Sequence, residues 1–192
     1  MPQTQSTQYS DEYMNVTKSL NAVAVFGTSA VLLSAFKYQF VDGELPCTLC
    51  TLIRGGVILM GMGFLFNLIF GVKQRNYAVT LIGALILGAV SSRFMLIHIV
   101  PGGPATTAGV FMGMHQYTVT ALGAVAAVVY TAFLMMLPVE TESLSTTCIV
   151  HKAVIWLFVA MVAANAVSII IEAGWNADIT DPHAYYMISG HV

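Results

Sequence analysis

Leu45-Pro46-Cys47-Thr48-Leu49-Cys50-Thr51-Leu52-Ile53-Arg54 runs directly into an apolar stretch that ends near Val72. Pro46 fits just ahead of a helix, where its missing N–H costs nothing. From Cys50 onward the chain stays apolar or small for the roughly 20 residues that a bilayer-crossing helix needs. The stretch is therefore predicted to be a membrane helix that carries two thiols at its water-facing lip. Arg54 follows Cys50 by one helical turn and shares its face. A cation there favours the thiolate, which is the reactive form of cysteine. The unpaired N–H groups of a helix start favour an anion by a further ~0.3–1 kcal/mol in exposed settings. Two thiols at this spacing can close into a small disulfide and reopen. Cys50 is best placed to be a stable thiolate, whereas Cys47 is nearer the loop and more open to an attacking partner.

Working outward, four more segments have the length and character of membrane helices: Ser19 to Phe40, Tyr77 to Val100, Tyr117 to Leu137 and Ala153 to Trp175. The 192-residue chain is 57% hydrophobic and 8% charged, with a mean hydropathy of +0.80. Soluble domains carry about 25% charged residues, so the chain is read as an integral membrane protein. Its fold class is all-α, a polytopic helical bundle. A net charge of −2 indicates no basic face for nucleic acid. Met1 to Tyr13 is polar and acidic, without the basic-then-apolar order of a cleavable signal peptide. Insertion is expected to be directed by the first hydrophobic segment.

The connection between the second and third segments holds Lys73 and Arg75, while the first and third connections hold no Lys or Arg. The positive-inside rule then makes Gly71 to Asn76 cytoplasmic. Lys18 and Lys152 agree with this, and Lys37 disagrees. The cysteine pair and the tail after Trp175 fall outside, in a compartment where disulfide chemistry is permitted.

Other readings of the pair are poorer. A c-type haem site needs His after the second Cys, and Thr51 stands there. Zinc needs a second ligand pair. A two-residue spacing closes too small a loop to remove much chain entropy, which argues for reactivity over a structural staple. Arg54 inside a membrane segment is costly and points to function; the bland alternative is that it snorkels to the headgroups.

The stretch Tyr38-Gln39-Phe40, a short acidic loop, then Leu45-Pro46-Cys47-Thr48-Leu49-Cys50 and Arg54 resembles the DsbB family (disulfide bond formation protein B) of bacterial inner-membrane thiol–quinone oxidoreductases. Arg93, the His98 to Pro104 stretch and Gly113-Met-His-Gln-Tyr117-Thr118 are similar to many members as well. The resemblance covers roughly residues 20 to 137. It implies a four-helix core at 17–137, preceded by a polar segment at 1–16. Residues 138–192 would supply a cytoplasmic loop, a fifth transmembrane helix and a polar outer tail. It also implies that the Cys47–Cys50 disulfide takes electrons from a thiol partner and passes them to a quinone, ubiquinone or menaquinone, beside Cys50 and Arg54. Cys47 would be the exchange thiol and Cys50 the quinone-facing thiolate. Arg54 and Gln39 would bind the cofactor, and the protein would sit among lipids of the bacterial inner membrane with its cysteine loop on the periplasmic side.

Two features depart from the family pattern. Typical members carry a second cysteine pair between helices three and four, and Pro101 to His115 contains none. Cys148 falls in the opposite loop and cannot replace it. Either a partner attacks Cys47 directly, another subunit supplies thiols, or the electron traffic has been lost. The fifth helix and tail are extra, and they suit a companion membrane subunit. The alternative function is accordingly a non-catalytic DsbB-like subunit of a larger membrane complex. Met112, Met114 and His115 have ligands that suit Cu(I), yet methionine in membrane proteins is more often packing, and no metal site is expected. His98 and His115 are read as loop hydrogen-bonding groups rather than proton donors to a quinol. Cys148 is read as an idle thiol, His183 and His191 as solvated tail residues, and Trp175, Tyr185 and Tyr186 as an interfacial aromatic belt.

Overall fold

Helix α1 (Gln3–Phe40) is 38 residues long, about 57 Å at 1.5 Å per residue, and lies against two other helices at once. The computed structural model describes residues 3–41, 48–99, 110–111, 113–137 and 149–173, with backbone alone for 3–13 and 111. Helix α2 spans Thr48–Phe70, α3 Gln74–Ile99, α4 Gln116–Met135 and α5 Ile149–Ala173. A short antiparallel hairpin, β1 (Val110–Phe111) and β2 (Met114–His115), precedes α4. All five helices are long and apolar enough to cross a membrane, so the chain is a multi-pass helical bundle.

The helices follow the expected segments closely, with two informative differences. Helix α1 begins at Gln3 rather than near Ser19. Hydropathy marks only the part of a helix that lipid can cover, and no Gly or Pro interrupts the chain between Gln3 and Gly27. The hairpin was not expected, because a two-residue strand is too short to show an alternating pattern. Gly113 at its turn has φ +80°, a conformation that suits glycine. Gly71, at φ +88°, follows the last residue of α2 and terminates it in the left-handed form usual after a helix.

The helices pack in the order α5–α1–α2–α3–α4. Small residues set the spacing, as expected where packing rather than water drives association. A Cβ on Gly63 would collide with Thr80 and the Asn76 carbonyl, and one on Gly83 would collide with the backbone at Met60. A Cβ on Gly61 would meet the Phe158 ring of α5 and Thr28 of α1. The core these contacts surround contains Val25, Leu32, Val57, Phe64, Leu68, Tyr77, Leu87 and Phe158.

The end of the bundle that carries the α2–α3 connection is closed by a polar cluster. Asn21 and Asn67, both fully buried, meet there with Asn76 and Tyr77. Asn67 Nδ2 donates to Asn21 Oδ1 at 3.1 Å, and Asn67 Oδ1 accepts from Asn76 Nδ2 at 2.9 Å and from the Lys73 N–H at 3.1 Å. Asn21 Nδ2 lies 2.9 Å from Tyr77 Oη. Lipid offers no hydrogen bonds, so polar groups at this depth must pair with one another. The cluster ties α1, α2 and α3 together.

Candidate functional site

At the opposite end, where α2 starts, three polar side chains from three helices converge. Arg54 of α2 is 7% exposed, Gln39 of α1 is 3% exposed and Ser168 of α5 is 6% exposed. Arg54 Nη1 donates to Gln39 Oε1 at 2.8 Å, and Nη2 donates to the Ala35 carbonyl at 3.2 Å. Its Cζ lies 5.8 Å from the Phe36 ring centroid, within cation–π range. Gln39 Nε2 donates to Ser168 Oγ at 2.9 Å, and the Ser168 hydroxyl reaches Gln39 Oε1 at 3.2 Å. Arg54 is thus held inside the bundle, and the snorkelling alternative does not describe it. A guanidinium is weakly hydrated and presents its donors in a rigid fork, which suits it to such a buried position.

Cys50 is the third residue of α2 and half-buried. It therefore lies in the first helical turn, one turn before Arg54, as expected. Cys47 and Cys148 lie outside the described residues, as do Met112 and the tail residues Trp175, His183, Tyr185, Tyr186 and His191.

Arg54 also lines a cavity of about 730 Å³. The cavity is a slot between α1 and α4, which do not pack on one another, with α2 as its floor. Its lining is mostly apolar. The polar groups gather toward the cysteine end, where Arg54, Tyr38, Ser34, Gln116 and Thr120 stand. At the far end the Tyr130 hydroxyl, from α4, donates to the Leu20 carbonyl of α1 at 3.0 Å and bridges the two walls. Gly27 and Gly123 line opposite walls, and a Cβ on either would meet nothing within 4 Å. The bundle's glycines therefore divide by role: Gly61, Gly63 and Gly83 admit a neighbouring helix, whereas Gly27 and Gly123 leave width in the slot. Neither Gln39 nor Cys50 lines the slot.

A long apolar molecule with a polar group at one end matches this lining. A guanidinium donor stands at one end, and about 20 Å of apolar wall runs along α1 from Tyr38 to Val23. A small polar metabolite would leave most of that wall uncovered. Among the described residues there is no cluster of three His, Cys, Asp or Glu side chains that could hold a metal.

The other residues singled out from sequence lie elsewhere. Arg93 is exposed and does not line the slot. His98 Nδ1 is 2.9 Å from the Phe94 carbonyl, within its own helix rather than a loop. Tyr117, 6% exposed, stacks with both imidazoles, at 5.6 Å for His98 and 5.2 Å for His115. His115 Nδ1 is buried without a partner among the described residues.

Ser168 and Gly27 carry no mark in the sequence that singles them out, and Gly123 reads there as one of the small residues suited to close helix packing, whereas the structure leaves open space beside it. The available signal was weak: a serine amid the apolar residues of the fifth segment, and glycines indistinguishable in sequence from those used for packing.

Comparison with known proteins gives one family. Residues 17–184 match the family described as disulfide bond formation protein DsbB, a span that includes α5. No curated protein and no solved structure matches the chain.

Proposed function

Because the chain belongs to the DsbB family, we propose that it is a membrane thiol–quinone oxidoreductase that makes disulfides in a partner. The observation that carries this reading is Arg54, buried at the polar end of an amphiphile-shaped slot one turn after Cys50. In the proposed cycle a partner thiolate attacks Cys47 Sγ, the Cys47–Cys50 bond breaks and Cys50 leaves as a thiolate. The partner's second thiolate attacks its own sulfur in the mixed disulfide, releasing Cys47 and closing the partner's disulfide. Arg54 stabilises the negative charge on Cys50, and its guanidinium would hold a ring carbonyl of the bound cofactor at the polar end of the slot. The walls of α1 and α4 exclude water and hold an apolar tail. A bound quinone, ubiquinone or menaquinone, supplies the sink for the two electrons and two protons released as Cys47 and Cys50 rejoin.

In this reading the protein sits in the bacterial inner membrane with the cysteine end outward, which Lys73 and Arg75 of the α2–α3 connection favour. Without a second cysteine pair in residues 101–115, the thiol protein must reach Cys47 directly, or a companion membrane subunit must supply the thiols.

The test is electron transfer in detergent. Purified protein supplied with dithiothreitol should reduce a quinone analogue, and Cys50→Ser should abolish the reaction. Wild-type protein that never turns over, with Cys47 and Cys50 permanently linked, would transfer the assignment to a non-catalytic subunit. Stoichiometric co-purification with a large complex from native membranes would do the same.

A further inference from the structure

We propose that Ser168 is a positioning residue for Arg54, which makes the fifth helix a working part of the site rather than an appendage. The argument begins with the Gln39 amide. A primary amide has two polar ends, and rotating it by half a turn exchanges acceptor for donor. Facing a guanidinium, only the carbonyl end binds; the NH2 end opposes one donor with another. Gln39 presents Oε1 to Arg54 Nη1 at 2.8 Å. The Ser168 hydroxyl grips the same amide through both of its polar atoms, accepting from Nε2 at 2.9 Å and reaching Oε1 at 3.2 Å. A rotated amide would turn its donors onto the cation, so Arg54 selects the orientation, while Ser168, bonded to both polar atoms, holds the amide in place beneath it.

Burial makes this grip consequential. Gln39 and Ser168 are both more than nine-tenths buried, so water does not compete for the amide. With alanine at 168, Nε2 loses this acceptor inside the bundle, where an unmade bond is costly. The amide loses its anchor on α5 and moves over more side-chain conformations, so the guanidinium has a less fixed partner at the polar end of the slot. Gly61, which admits the Phe158 ring nearly three turns earlier on α5, sets the close α5 approach on which the contact depends.

The experiment reads Arg54 directly. In protein labelled with 15N at arginine, the Arg54 side-chain N–H resonances are identified by their loss in Arg54→Lys. Wild type should give resolved, slowly exchanging Nη signals. Ser168→Ala should broaden them and shift them toward free arginine, while Ser168→Thr, which keeps the hydroxyl, should restore them. Thermal melts of both variants confirm that each is folded. Arg54 signals unchanged in Ser168→Ala, or not restored by Ser168→Thr, overturn the proposal. Its consequence for turnover rests on the redox reading above: kcat should fall several-fold in Ser168→Ala and recover in Ser168→Thr. The two can fail separately. Signals that depend on Ser168 in a protein that never reduces a quinone analogue would sink the redox reading and leave the positioning role standing.

Discussion

The guanidinium of Arg54 on α2 and the amide oxygen of Gln39 on α1 stand 2.8 Å apart, both buried. The contact fixes a charge at the polar end of a largely apolar slot, and it joins the helix that carries Cys50 to the helix that forms a slot wall.

Replacing Arg54 should therefore do more than remove a charge. Arg54→Met deletes two donors at once, and a hydrogen bond to a charged group is worth about 1.5–3 kcal/mol. Turnover with a quinone analogue should drop about 10- to 100-fold. Arg54→Lys keeps the charge but not the fork that reaches Gln39 Oε1 and the Ala35 carbonyl together, so its rate should lie between the two. Arg54→Met turning over at the wild-type rate would remove the guanidinium from the mechanism.

Gly27 and Gly123 give the slot its width without packing against anything. Leucine at either position should leave the melting temperature near wild type and raise KM for a quinone with a long isoprenoid tail. A short-tailed analogue should be affected little. If both analogues responded alike, the tail would not occupy this slot.

Gly83 makes the opposite case. Its α-carbon faces the backbone at Met60 with no room for a methyl group, and overpacking a tight contact costs about 1–3 kcal/mol. Gly83→Ala should lower the thermal midpoint, whereas Gly123→Ala should not. Equal midpoints for the two variants would contradict the division of the glycines by role.

Asn67 accepts two hydrogen bonds and donates a third within the buried cluster that joins α1, α2 and α3. Side-chain hydrogen bonds inside membranes average about 0.6 kcal/mol each, so Asn67→Ala should cost about 2 kcal/mol in a reversible unfolding titration. Because the cluster lies at the end remote from Cys50, turnover of the folded fraction should be unchanged. A variant as stable as wild type would show the cluster to be replaceable by packing.

Much of this was legible in the chain. The five spans could be read because lipid demands about 20 apolar residues in a row, a requirement met locally and visible without any partner helix. The cysteine turn and Arg54 could be read because a helix places i and i+4 on one face whatever surrounds it. Helix α1 begins well before its apolar span, and those first turns leave no mark in hydropathy.

What the sequence by itself determined is the number of helices, their approximate limits, and a cation one turn after Cys50. What only the tertiary structure decided is where that cation goes. Gln39 precedes Arg54 by 15 residues, and Ser168 follows Gln39 by 129; no local rule relates them. The slot likewise exists because α4 packs on α3 rather than on α1, a choice made by helix shapes. The meaning of each glycine depended on what the fold brought opposite it, since a missing side chain can be filled by a neighbouring helix or left as space.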